Sequence, residues 1–169
     1  ISACLVGSEM CIRDRNYNMK APYFYQISVP KVADSLAIGF FTWDLGRFRQ
    51  SLASFARADI SDNELNSAIQ LHNQSRALLR ELYELRRPDP PLLRGSEVCQ
   101  ILVDMMSLPV AEANELVEDV IAEARESHYG PQKKPARLLM SGNELDDSSL
   151  IETIEDCGAN VVADDLCIG

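Results

Sequence analysis

The residue types best suited to chemistry lie near the end of the chain, where Asp164-Asp165-Leu166-Cys167 follows the apolar triplet Val161-Val162-Ala163. A cysteine supplies a thiolate, which serves as a nucleophile or a soft metal ligand. One on an apolar helix face is usually packing, and by that test Cys99 and Cys157 read as core residues. Cys167 falls instead in a loop just past a strand, where ligands and chemistry collect in parallel α/β sheets. The plainer alternative is a buried bystander. Asp164 and Asp165 form a carboxylate pair suited to binding a hard cation or orienting a neighbour through hydrogen bonds; such residues also cap the amides of their own loop. Ser141-Gly142-Asn143-Glu144 is a second potential ligand loop, its glycine permitting close backbone approach. It carries neither a G-x-G-x-x-G pattern nor a lysine-bearing phosphate loop, so nucleotide binding has little support. His72 and His128 fit no triad or metal spacing. Asn73 and Arg76, three apart on one helix face, read as a local surface contact.

Three elements must position these residues, in the order strand, helix, strand. Leu138-Leu139-Met140 is a short apolar run of the kind expected in a strand covered on both faces. Leu150, Ile151, Ile154 and Cys157 share one helix face, and Gly158 suits the position just past a helix end. Val161 to Ala163 is the second strand. Two parallel strands do not make a stable sheet alone, so the rest of the sheet is expected from sequence beyond this chain.

Upstream the pattern is helical. Ala21 to Pro30 is extended and aromatic, with Pro22 and Pro30 marking a connecting segment. From about Asp34 to Ala56, Phe41, Leu45, Phe48, Leu52 and Phe55 form a one-sided apolar stripe, in which Gly39 and Gly46 weaken the helix or admit close packing. Ser61-Asp-Asn-Glu64 is a capping box that opens a second helix with Leu71, Leu78, Leu82 and Leu85 inward. Pro88, Pro90 and Pro91 end it. A third helix follows Ser96 with Val98, Ile101, Leu102 and Met105, and Pro109 opens a fourth with Ala113, Leu116, Val117, Val120, Ile121 and Ala124. Tyr129 to Pro135 is a linker.

The net charge of -10 argues against binding to a phosphate backbone, and no apolar run approaches the roughly 20 residues of a membrane span. Eight carboxylates and no Lys or Arg fall between Leu138 and Gly169. They read as a solvated acidic face, or as a surface that meets a basic partner or the missing remainder of the domain. Five cysteines without paired spacing do not form a disulfide framework, which points to a reducing, cytoplasmic setting. No secretory signal is credible at the N-terminus. Ile1 to Arg15 resembles a translated sequencing adapter and is set aside, with a short strand from Cys4 to Gly7 as the alternative. The expected organisation is therefore an extraneous tail (1–15), an extended connector (16–33), a helical segment (34–130) and an incomplete α/β lobe (131–169).

Arg137-Leu-Leu-Met-Ser-Gly142, Leu150-Ile-Glu152 and Gly158-Ala-Asn-Val-Val-Ala-Asp-Asp-Leu-Cys167-Ile-Gly169 resemble the third-ligand region of the 2-hydroxyacyl-CoA dehydratase and benzoyl-CoA reductase family. Ile27-Ser-Val-Pro30, the Phe41-to-Phe55 helix, Ile60-Ser61 with Leu65, and Asn73-x-x-Arg76 with Leu79 follow the family's order. The likeness spans about residues 22 to 169, and its specific part is Asp-Asp-Leu-Cys-x-Gly. It implies an α/β fold: a helical block followed by an incomplete Rossmann-like parallel βαβ unit, a fragment, truncated at both ends, of a larger two-lobed subunit. It also implies a 4Fe–4S cluster on three cysteines far apart in sequence, of which Cys167 matches the last. The two earlier ligands would lie upstream of Asn16; Cys4 and Cys11 do not match in their surroundings. One thiolate does not hold such a cluster, so this chain alone is expected to be inactive. In the parent, the cluster would bind the thioester carbonyl of an acyl-CoA substrate. An electron from an ATP-dependent iron–sulfur activator would give a ketyl radical anion, leading from 2-hydroxyacyl-CoA to enoyl-CoA. A related second dehydratase subunit is the other implied partner. Asp164 and Asp165 would stand behind the ligand, and Ser141, Gly142 and Glu144 would face substrate or partner subunit; the likeness assigns no catalytic side chain. The rivals are a related reductase subunit and a non-catalytic helical interaction module.

Overall fold

The computed structural model describes residues 22–127, 130–143, 145 and 147–167. The expected short strand from Cys4 to Gly7, His128 and Glu144 lie outside them. Among the described residues the elements run α1 (Ser35–Ala56), α2 (Asp62–Glu84), α3 (Gly95–Ser107), α4 (Val110–Glu126), β1 (Ala136–Ser141), α5 (Ser149–Asp156) and β2 (Ala159–Asp165). The fold class is α/β, a helical block followed by a strand–helix–strand unit. The chain divides into two compact units, Ile1–Ser67 and Ala68–Gly169, with the division inside α2.

In the first unit, Asp34 caps α1 by accepting from the Ala37 amide at 2.7 Å. Arg57 ends the helix in the left-handed conformation (φ 53°). The extended segment before α1 is tied to it by aromatic contacts: Tyr23 stacks on Phe55 at 4.7 Å between ring centres, and Tyr25 meets Phe48 at 5.2 Å. Asp44 is buried and accepts from the Ser28 amide at 2.9 Å and the Tyr25 hydroxyl at 3.3 Å. The apolar stripe of α1 is only partly covered, with Leu45 and Phe55 exposed. Nothing comes within 4 Å of a Cβ built on Gly39 or Gly46, so neither glycine serves close packing. The capping box closes in both directions: Glu64 Oε2 accepts from the Ser61 amide at 2.8 Å, and Ser61 Oγ accepts from the Glu64 amide at 3.2 Å.

The second unit has two apolar clusters joined by α3. The larger packs Leu78, Leu82 and Leu85 against Val98, Ile101, Leu102, Val117, Ile121 and Ala124. The smaller packs Cys99 against Ile151 and Val161. At its start α3 runs so close to β2 that a Cβ on Gly95 would lie 2.5 Å from the Val161 carbonyl oxygen. This position therefore requires glycine on spatial grounds alone. Asn114, buried on α4, accepts from Ser75 Oγ at 2.6 Å and so ties α4 to α2.

β1 and β2 pair in parallel, with a register shift between Leu138 and Leu139. The expectation of strands covered on both faces fails at β1, where Leu139 is 66% exposed. The described sheet has two strands, so β1 is an edge with one partner. Cys157 is corrected as well: it is exposed, because α5 stops at Asp156 and Cys157 forms the cap rather than a further residue of the inward face. Gly158 follows with φ 103°, a conformation glycine adopts at no steric cost. Among the described residues, no helix is long and apolar enough to cross a membrane.

Candidate functional site

Because β1 and β2 are parallel, their carboxyl ends coincide. Met140 faces Asp164 and Ser141 faces Asp165 across the ladder, and the Gly142 amide donates to the Asp165 carbonyl at 3.2 Å. Leu166 is buried, 3.9 Å from a Cβ position on Gly142. Cys167 follows in a turn and is exposed. The structure thus brings Ser141, Gly142, Asp165 and Cys167 to one edge.

Successive side chains of a strand point to opposite faces, and this separates the two aspartates. Asp165 is exposed. The Asp164 side chain, 5% exposed, turns inward: Oδ1 lies 2.5 Å from Arg86 Nη1 and Oδ2 accepts from the Tyr83 hydroxyl at 2.6 Å. The pair therefore cannot chelate a single cation. Arg86 is fully buried, with its guanidinium carbon 4.3 Å from the centre of the Tyr83 ring. It meets Asp164 as an ion pair by distance, yet none of its three nitrogens makes a well-directed hydrogen bond. Burial, and then the hydrogen bond to Asp164, raise the Tyr83 hydroxyl pKa far above its ordinary value, so it remains a donor.

A second buried carboxylate ties the sheet to the helices. Glu155, on α5, accepts from the Gly95 amide at 2.8 Å, from Ser96 Oγ at 2.6 Å and from Arg94 Nε at 3.1 Å. A carboxylate at a helix N-terminus satisfies orphan amides and complements the positive end of the helix dipole. At the head of β1, Arg137 donates to the carbonyls of Pro88 at 2.7 Å and Arg87 at 2.9 Å. Two of the eight acids of the C-terminal stretch are thus enclosed rather than solvated.

Both buried charges left a trace in the sequence that the acidic composition hid. Arg86 lies four residues after Leu82, in the turn just past α2, and Glu155 lies four after Ile151 on α5, so each continues the inward stripe of a helix. A charge in that position must find a partner. Asn73 and Arg76 do form the expected local contact, at 2.9 Å, and His72 is exposed.

Among the described residues, no group of three His, Cys, Asp or Glu side chains could hold a metal ion. Cys167 is nevertheless a fitting single corner for an iron–sulfur cluster: a soft donor, exposed, on a backbone held by Leu166 and the Asp165–Gly142 bond. The other described cysteines do not add a second corner. Cys157 lies at the opposite end of the seven-residue strand β2, roughly 20 Å away at the rise of an extended chain. Cys99 is buried, and burial first, then the charges of Asp164 and Asp147, push its thiol pKa up, away from the thiolate a metal requires. A groove of about 780 Å³ in the second unit is lined by residues including Arg94, Glu97, Gln100, Glu152 and Asp156. None of the candidate residues at the strand ends lines it.

Residues 4–169 match the family model described as 2-hydroxyglutaryl-CoA dehydratase, D-component. The match begins inside the opening stretch set aside for its resemblance to a translated sequencing adapter. The chain is also similar to one of the subunits of benzoyl-CoA reductase from Thauera aromatica, 27% identical over 149 residues that cover 86% of this chain. The aligned part spans 38% of that relative's length. The chain belongs to the 2-hydroxyglutaryl-CoA dehydratase D-component family.

Proposed function

We propose that this chain is part of an iron–sulfur subunit of a 2-hydroxyacyl-CoA dehydratase-type enzyme, in which Cys167 is one thiolate ligand of a 4Fe–4S cluster. One observation carries the reading: a parallel strand delivers Cys167 to an exposed carboxyl edge, where α/β proteins place ligands. The family membership supports it. When bound, such a cluster supplies one-electron chemistry at low potential. The residues of this chain would fix the thiolate donor and, through the exposed Ser141–Gly142 loop and Glu144, meet substrate or a neighbouring subunit. Asp165 is the one of the two aspartates that faces outward beside the ligand. The proposed partners are a related second subunit, an ATP-dependent iron–sulfur activator and an acyl-CoA substrate, all in the cytoplasm.

The relative from Thauera favours a second reading, a subunit of an enzyme that reduces an acyl-CoA thioester instead of dehydrating it. Both readings place a cluster at Cys167, and product analysis with 2-hydroxyacyl-CoA and benzoyl-CoA separates them.

The deciding experiment is anaerobic expression of the complete protein followed by iron and sulfide determination. About four of each per chain is expected, with loss on Cys167→Ser. A folded protein without iron, or a Cys167→Ser variant with undiminished iron, would sink the cluster role and leave a helical interaction module.

A further inference from the structure

We propose that Arg86 and Tyr83 are positioning residues for Cys167: acting through Asp164, they fix the exit of β2 and with it the point from which the thiol leaves the sheet. The inference rests on the reading of Cys167 as an iron ligand. Each carboxylate oxygen of Asp164 has its own partner where α2 ends, Tyr83 in its last turn at 2.6 Å and Arg86 just past it at 2.5 Å. Asp164 is the only ion-pair partner of Arg86 among the described residues, and with the guanidinium fully buried water cannot take its place. The same chain segment is held from the other side, where Arg137 of β1 grips the carbonyls of Arg87 and Pro88. The end of α2 is therefore bound to both strands.

Cys167 is three residues beyond Asp164, and the two residues between are also held. The Asp165 carbonyl accepts from Gly142, and the Leu166 side chain is buried. A buried ion pair is weak evidence for stability, since a matched apolar pair often does as well; its better-attested use is to specify one arrangement over another. Here the arrangement specified is the register at which β2 ends. Residues standing behind a metal ligand commonly change metal affinity about 10- to 100-fold when altered.

The test uses the complete protein, loaded anaerobically, with release of iron to a chelator and the electron paramagnetic resonance spectrum as readouts. Arg86→Met combined with Asp164→Leu removes both charges together and so keeps the core neutral. It is expected to melt near wild type, yet to release iron about tenfold faster and to show a shifted or broadened spectrum. Tyr83→Phe keeps the ion pair and the ring, guards against a double variant that does not fold, and is expected to move both readouts in the same direction by less. Wild-type iron release and spectrum in a folded double variant would overturn the positioning role, as would a wild-type result for Tyr83→Phe if the double variant fails to fold. Cys167→Ser measured alongside separates the two failures. Iron lost there but retained in the double variant removes the positioning role alone; iron retained in Cys167→Ser removes the reading beneath it.

Discussion

Up to Ser67 a single described residue is buried, and it is an aspartate; beyond Ala68 fifteen described hydrophobic residues are buried. Exposure runs the opposite way. In the first unit Leu36 is 83% exposed, and Ile38, Phe40 and Trp43 stand in solvent beside it. Charge divides along the same line. Residues 1–67 hold seven basic and seven acidic residues, whereas residues 68–169 hold nine basic and nineteen acidic, so the whole net charge belongs to the second unit. The comparison shows that an amphipathic period and good caps suffice to define a helix without any core to receive it. In α1 the order comes from local devices: the Asp34 cap, the Arg57 turn, two ring contacts and the buried Asp44. In the second unit order comes from contacts far apart in sequence, and buried charges are placed where helices and strands must meet.

The strongest way to break this contrast is Glu155→Ala. It leaves buried donors of Gly95, Ser96 and Arg94 without their acceptor, and should cost about 3 kcal/mol in urea unfolding. Hydrogen exchange should quicken in α3 and β2 while residues 35–56 keep their wild-type rates. Equal loss in α1 would mean that the two units share one cooperative transition.

Gly95→Ala tests the same junction by volume instead of charge. Its methyl group would meet the Val161 carbonyl at 2.5 Å, and overpacking of this kind costs about 1–3 kcal/mol. A melt within error of wild type would show that α3 can slide away from β2.

The smallest effect is expected at Trp43→Ser. Trp43 is 55% exposed and, among the described residues, has Phe40 and Arg47 as its ring neighbours, so circular dichroism should report a change within about 0.5 kcal/mol. A loss well above that would mean that α1 is covered in solution, and the contrast between the units would disappear. Tryptophan fluorescence cannot follow this variant, because Trp43 is the sole tryptophan.

Legibility in the sequence followed the range of the interaction. The Ser61–Glu64 box spans four residues and could be read directly. So could the helix that starts at Pro109, and the strand–helix–strand order that carries Cys167 to an edge. Asp164 could not be read, since its partner Arg86 lies 78 residues earlier and the surrounding acids suggested a solvated face. Cys157 was misjudged because the apolar period extends one residue past the point where the helix stops. Leu139 was misjudged because an apolar run records the burial a strand is suited to, and the described chain offers β1 a single neighbour.

Glu155 also bears on whether the start of α3 can receive an anion. The N-terminus of a helix is a common seat for phosphate, since its amides point outward and its dipole favours negative charge. At α3 those amides already hold the chain's own anion, with Gly95 N donating to Glu155 Oε1 at 2.8 Å. The adjoining groove adds Glu97, Glu152 and Asp156. A diphosphate arriving there would have to displace a buried carboxylate and would meet these three more in the groove, with Arg94 as the one basic residue among the described residues lining it, so this helix start is not an open seat for phosphate.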